Sequence, residues 1–166
     1  MDITAAVARA ASTPFTIEQL DLEEPREDEV LVRIVGVGVC HTDLAARDQL
    51  IPVPLPVVFG HEGAGVVEGV GAAVDTLQVG DNVVLSFASC GNCGTCEADT
   101  PGYCTSFFPL NFGGVRADGS AALKAGTETV ASHFFGQSSF ASHALVNQRN
   151  AIKVRGDAPL EILGPL

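Results

Sequence analysis

Four of the chain's five cysteines fall in one short stretch, Cys90-Gly-Asn-Cys93-Gly-Thr-Cys96 closed by Cys104. Two-residue spacers turn consecutive thiolates toward one centre, and the intervening glycines permit the tight backbone turns this needs. Cys104 follows after Pro101-Gly102 and completes a set of four. Four soft sulfur ligands with no position left for water describe a closed structural zinc site rather than an open catalytic one. A pair of disulfides is the other use of four thiols. Two-residue spacing strains such a bond, and nothing at the N-terminus reads as a secretory signal.

The fifth cysteine, Cys40, lies at the end of a β-branched run. His61 sits in a glycine-flanked turn after another apolar segment. If those two ends meet, they offer one thiolate and one imidazole to a second metal, whereas a catalytic zinc takes three protein ligands and an open position. Alone, the pair reads equally as a small buried thiol and a satisfied polar residue. The neighbours add chemistry. Thr42 places a hydroxyl two residues past Cys40, able to accept a proton from a metal-bound alcohol. Asp43 carries a carboxylate able to hold the far nitrogen of His61 and fix its tautomer. Glu62 adjoins His61 and can approach the metal when water leaves.

The elements that must position these groups are short strands with turn signals between them. Strands are expected over Ile3 to Arg9, Thr16 to Leu20, Val30 to Val39, Val66 to Val70, Val83 to Leu85, Phe140 to Val146 and Ala151 to Val154. The first two are expected to pair. The acidic stretch Asp21 to Glu29 reads as a solvated loop. A short helix over Thr42 to Arg47 is expected to start on a capping hydroxyl. The prolines at 52, 54 and 56 hold the approach to Val57–Phe59 extended. A zinc lobe should occupy about 88–106. Residues 107–132, rich in glycine and alanine, read as a surface loop, and Pro159 to Leu163 as the first turn of a helix. The expected fold is mainly β with short helices: a small, partly open β-barrel carrying a zinc-binding lobe.

Composition sets limits. The chain has 166 residues, enough for one domain with its own core. Its formal net charge of -11 offers no electrostatic footprint for nucleic acid and no attraction to anionic membrane surfaces. No apolar run reaches the length of a membrane span. Clustered thiols without a signal segment point to a reducing, cytoplasmic setting.

Taken together, Gly38-Val39-Cys40-His41-Thr42-Asp43, Gly60-His61-Glu62-Gly63-Ala64-Gly65, Val79-Gly80-Asp81 and the four-cysteine lobe resemble, in order and spacing, the zinc-dependent medium-chain alcohol dehydrogenases. The resemblance covers essentially the whole chain and implies the GroES-like catalytic domain. It makes Cys40 and His61 ligands of a catalytic zinc, and Cys90, Cys93, Cys96 and Cys104 ligands of a structural one. It gives Thr42 the contact to the alcohol oxygen, Asp43 a place behind the ligands, Glu62 the role of a carboxylate that replaces water, and His41 a contact to the cofactor. Residues 133–141, His133-Phe-Phe-Gly-Gln-Ser-Ser-Phe-Ala141, are similar to the aryl-alcohol (benzyl-alcohol) branch. There Phe87, Phe134 and Phe135 line the pocket for an aromatic or allylic alcohol, and Phe140 reads as core.

The implied activity is oxidation of such an alcohol to an aldehyde with NAD(P)+, by an enzyme that is a homo-oligomer when complete. Two departures stand out. Ala45 occupies the place of a histidine that often continues the proton relay. The family's third catalytic ligand, a cysteine, follows a Leu-Gly-Pro-Leu-like segment, and here Leu163-Gly164-Pro165-Leu166 ends the sequence. No Gly-x-Gly-x-x-Gly occurs: Gly63-Ala-Gly65 is followed by Glu68, so the cofactor-binding Rossmann domain is expected outside this chain. On that ground the chain alone is expected to be inactive. A non-catalytic, zinc-stabilised barrel that binds a partner or a small aryl ligand is the alternative.

Overall fold

The computed structural model describes residues 1–165. Ten strands and four short helices follow in chain order: β1 (Asp2–Ala8), β2 (Thr16–Leu22), β3 (Glu29–Val37), α1 (His41–Arg47), β4 (Val57–Val58), β5 (Gly63–Val70), β6 (Asn82–Leu85), α2 (Gly94–Glu97), α3 (Phe107–Phe112), β7 (Leu123–Ala125), β8 (Glu128–Val130), β9 (His143–Asn147), β10 (Ala151–Lys153) and α4 (Leu160–Leu163). The strands form two five-stranded sheets, ordered β4-β1-β2-β7-β8 and β10-β6-β5-β3-β9.

Alternation fixes which faces turn inward. In β1 Ile3, Ala5 and Val7 are buried while Asp2 and Thr4 are exposed. These side chains meet Leu20, Leu22, Val58, Leu123, Val130 and Leu145 in one core. A second core gathers Val30, Val32, Val67, Val83 and Val146. Each such fully buried aliphatic side chain contributes about 1.5–3 kcal/mol relative to exposure.

The sheets are stitched rather than merely stacked. Strand β4 covers only Val7 and Ala8 of β1, which leaves the earlier half of that edge open. Residues 140–142 fill it. The Ala6 N–H donates to Phe140 O (2.8 Å), Ser142 N donates to Thr4 O (2.8 Å), and Ile34 N donates to Ser142 O (2.9 Å). Register shifts in the β3/β5 pairing, between Leu31 and Val32 and between Ile34 and Gly36, sharpen the twist that curls the sheet. The result is the half-closed barrel.

Three local expectations are corrected. The acidic loop is shorter than expected: residues 23–28 form it, with Glu24, Arg26, Glu27 and Asp28 exposed, while Leu22 ends β2 in the core and Glu29 opens β3 at 5% exposure. Glu29 accepts from Arg116 Nε (2.6 Å) and Nη2 (3.1 Å), so a buried guanidinium balances its charge. Residues 107–132 hold α3 and the β7/β8 hairpin. Three-residue strands are too short to show a period, and β7 gains its place by pairing with Asp21 and Leu22. Helix α1 begins one residue earlier than expected, with Cys40 as its N-cap instead of the Thr42 hydroxyl. Here the Asp43 carboxylate performs the capping, accepting the Cys40 N–H at 3.0 Å.

Candidate metal centres

The lobe has almost no core of its own. Neither α2 nor the 3-10 turn Pro101–Tyr103 buries a residue, and Tyr103 is 78% exposed. What converges is sulfur. The Sγ atoms of Cys90, Cys93, Cys96 and Cys104 lie within 4.8 Å of one another, and none is in a disulfide. Tetrahedral zinc with sulfurs at about 2.3 Å requires them to be about 3.8 Å apart. The Cys93–Cys96, Cys90–Cys96 and Cys93–Cys104 separations are 3.5, 3.9 and 4.0 Å. The donor set therefore fits zinc in both chemistry and spacing.

Crowded thiols pull one another's acidity apart. The Thr95 hydroxyl, 3.2 Å from Cys93 Sγ, and backbone N–H groups hold the Cys93 thiol down to about 4. Desolvation and the three neighbouring sulfurs push the Cys96 thiol up to about 11. Four thiolates share this volume only with a cation between them. At the lobe's base, buried Asn111 of α3 accepts from Ala88 N (2.8 Å) and donates to Ala88 O (2.9 Å).

The second group forms where β3, α1 and the turn before β5 meet. Ligand atoms of Cys40, His61 and Glu62 all lie within 4.8 Å of one another. Asp43, fully buried, ties the pieces together. One carboxylate oxygen takes the Cys40 N–H; the other takes the Gly60 N–H (3.1 Å) and lies 3.1 Å from His61 Nδ1. That contact places the proton on Nδ1 and turns the Nε2 lone pair toward the thiol. The Thr42 hydroxyl, at 3.5 Å, and its N–H hold the Cys40 thiol below its ordinary pKa. Burial works to lower His61, but the Asp43 carboxylate and the Cys40 sulfur prevail and raise it.

Two glycines shape this group, and at Gly60 the lack of a side chain is required. Gly60 has φ +93, and a Cβ on it would meet Phe140 N at 2.5 Å. A Cβ on Gly38 would lie 2.0 Å from Glu62 Oε2, so the carboxylate occupies the space a side chain would take. His41 is exposed at the start of α1 and stands outside this cluster.

An aromatic wall flanks the group. Phe135 stacks on the His61 ring (centroids 4.5 Å, 26°). Phe134 is fully buried and meets His61 edge-on at 5.7 Å, backing the wall from the core. Phe87 joins through Phe107, at 5.5 Å. Sequence reasoning missed Phe107 and Phe112, whose rings lie 6.3 and 5.0 Å from Phe135; the only signal was the run Phe107-Phe108 ahead of Phe112. It also assigned no role to Gln137. That side chain, 2% exposed, donates to His61 O (2.9 Å) and accepts from Gly63 N (3.0 Å), clamping the turn that carries His61 and Glu62. Phe140 packs against the core, half-buried.

A half-closed β-barrel that carries one four-sulfur group and one Cys-His-Glu group is built to hold metal at two places. Residues 26–156 match the alcohol dehydrogenase GroES-like domain, and the chain belongs to that family. It is 55% identical to a geraniol dehydrogenase of Castellaniella defragrans over 163 residues, 98% of this chain and 43% of that protein. The crystal structure of an alcohol dehydrogenase zinc-binding domain protein from Burkholderia ambifaria superposes with a TM-score of 0.98 at 59% identity, over 100% of this chain and 45% of that one. Benzyl alcohol dehydrogenase from Acinetobacter calcoaceticus gives 0.94 at 49% identity, over 99% and 44%. The chain thus spans less than half the length of these relatives.

Proposed function

We propose that this chain is the catalytic domain of a zinc-dependent alcohol dehydrogenase that oxidises primary aromatic or allylic alcohols to aldehydes with NAD(P)+. The dinucleotide would be bound by a further domain, and the third strong zinc ligand would come from residues beyond 166. The observation that carries this reading is the convergence of Cys40, His61 and Glu62 beside the Phe135 ring, with Asp43 behind them.

Zinc held by Cys40 and His61 would supply a Lewis acid that lowers the pKa of an alcohol, and NAD(P)+ would accept the hydride. The chain's own residues do the rest. Asp43 fixes the His61 tautomer and ring plane. The Thr42 hydroxyl lies beside the Cys40 sulfur, within reach of an alcohol proton there. Ala45 carries no group that could extend a relay, so the side chain at that position would take no part in moving the proton on from Thr42. His41, exposed on α1, faces outward for a cofactor contact. Phe135, with Phe87, Phe107 and Phe112 around it, offers ring edges and faces to a planar substrate. Geraniol and benzyl alcohol, which name two of the relatives, both carry the hydroxyl carbon next to an unsaturated one.

The test is steady-state kinetics of the natural full-length protein, zinc-loaded, with NAD+ and NADP+ in turn. Each lost methylene-sized contact costs about 1–3 kcal/mol in an apolar pocket. Benzyl or cinnamyl alcohol should therefore exceed ethanol in kcat/KM by at least about tenfold. Equal values would reject the aromatic pocket. No alcohol-dependent reduction of either dinucleotide would reject the enzyme and leave the non-catalytic barrel.

A further inference from the structure

The turn over residues 133–138 is held in a backbone shape that side chains resist. His133, Phe135 and Ser138 have φ of +60, +50 and +51, and Gly136 has +68. Residues with a Cβ persist in the left-handed region only where their surroundings over-determine them. What over-determines them is a row of hydrogen bonds to the segment 58–63. The Ser138 hydroxyl donates to Val58 O (2.6 Å), Ser139 N donates to Gly60 O (3.0 Å) and Phe140 N donates to Phe59 O (2.9 Å). Those bonds stop at Gly60. Among the described residues, Gln137 alone carries the row on to the stretch bearing His61 and Glu62, through His61 O (2.9 Å) and Gly63 N (3.0 Å). Its amide nitrogen also lies 3.4 Å from Ser86 O, next to Phe87.

One neutral amide thus joins three pieces of the site. Two carbonyls and one N–H converge on it, so the side chain must both donate and accept. A carboxylate would donate nothing. An apolar chain of the same length would leave the buried Gly63 N–H without this acceptor.

The same turn puts Phe135 on the imidazole. His61 is held at Nδ1 by Asp43 (3.1 Å), on its ring face by Phe135 (centroids 4.5 Å, 26°) and at its carbonyl by Gln137. Asp43 belongs to α1, whereas the other two belong to the 133–138 turn. A shift of that turn therefore moves the His61 main chain and the neighbour of its ring together.

We propose that Gln137 is a positioning residue that keeps the metal-ligand turn and the aromatic wall in one register. It would govern both zinc affinity at Cys40 and His61 and the preference for a planar alcohol. Its contacts are to main-chain atoms, so it acts through His61 and not on the substrate. The alcohol half rests on the dehydrogenase reading above; the zinc half needs only the ligands on this chain.

Chelator competition for zinc on the natural full-length protein tests the first half. Gln137→Met keeps the length and removes the amide; Gln137→Asn keeps the amide and shortens it by one methylene. Both should weaken the second zinc about tenfold or more, as expected when a partner behind a metal ligand is lost, while the lobe keeps its own. Ile3→Val trims the first core, which contains no metal ligand. It should lower the melting temperature yet leave both zincs within about twofold. For the second half, kcat/KM at saturating zinc should lose its preference for benzyl alcohol over ethanol by at least about tenfold in both Gln137 variants, chiefly through KM for benzyl alcohol.

Zinc affinity unchanged in both variants overturns the proposal. So does loss of the lobe zinc along with the second, or an equal weakening by Ile3→Val, either of which would make Gln137 a general structural residue. Weakened zinc with the alcohol preference intact also overturns it, because wall and metal would then be uncoupled. A full-length protein that oxidises no alcohol would reject the enzyme reading instead, and the zinc comparison would still decide the role of Gln137.

Discussion

At single residues, the chemistry is set by which atoms face a sulfur or a ring nitrogen. Cys93 is surrounded by the Thr95 hydroxyl and backbone N–H groups, which favour its thiolate. Ser in its place offers neither the negative charge nor the softness that zinc requires. Cys93→Ser should therefore lower zinc content by about one ion per chain and loosen residues 88–106, because no buried apolar residue of α2 remains to hold them. Elemental analysis checks this, and unchanged metal content would contradict a structural zinc. Asp43 acts one step further out, through His61 Nδ1. Removing such a partner costs about 10–100-fold in metal affinity. Asp43→Asn should weaken the Cys40/His61 site by that factor in a chelator competition while leaving the lobe's zinc in place.

At the level of elements, the start of β3 depends on a charge pair from a distant loop. Glu29 begins the strand with its carboxylate buried against Arg116. Its folded pKa of about 2 lies below the ordinary 4.5. A depressed carboxyl stabilises the fold above the unfolded value, and that contribution disappears as pH falls from 4.5 toward 2. The gap corresponds to about 3 kcal/mol near neutral pH. Glu29→Gln should destabilise the protein by about that amount at pH 7, since it leaves the buried Arg116 guanidinium with only the partly exposed Glu23 carboxylate, 3.0 Å from its Nη1. The difference between variant and wild type should shrink as the pH is taken below 4.5. Urea unfolding across that range is the measurement, and a constant difference would remove the ion pair from the account.

For the whole molecule, the two metal groups differ in completeness. The lobe supplies four thiols; the second group supplies one thiol, one imidazole and a carboxylate. Structural zinc with a full ligand set is worth about 10–16 kcal/mol, and a site with fewer anionic sulfurs should fall well below that. The 166-residue chain after mild dialysis is expected to keep zinc in the lobe and hold the second ion weakly. It should show no alcohol-dependent reduction of NAD+ or NADP+. A second tightly held zinc would mean that Glu62 already completes the site, and turnover would contradict the need for a further domain to bind the dinucleotide. The overall acidity argues against polyanionic partners at this scale, and among the described residues no helix is long and apolar enough to cross a membrane.

What the sequence by itself determined is what local chemistry determines. Thiols two residues apart share a centre whatever surrounds them, so the lobe was legible from spacing. Runs of Val and Ile around a glycine-flanked His61 marked strands and a turn, and the half-open barrel followed. Contacts between distant segments were decided only by the tertiary structure. Asp43 reaches Gly60 across 17 positions, Gln137 reaches Gly63 across 74, and Arg116 reaches Glu29 across 87. No periodicity encodes such pairs. Cys40, rather than Thr42, caps α1 because Asp43 is drawn inward to the 60–61 turn. Residues 107–132 became a helix and a hairpin because β2 presented an unpaired edge and Ala88 presented a backbone N–H and C=O to Asn111. Each partner exists only once the barrel has brought its walls together, and burial then makes satisfying those polar groups obligatory.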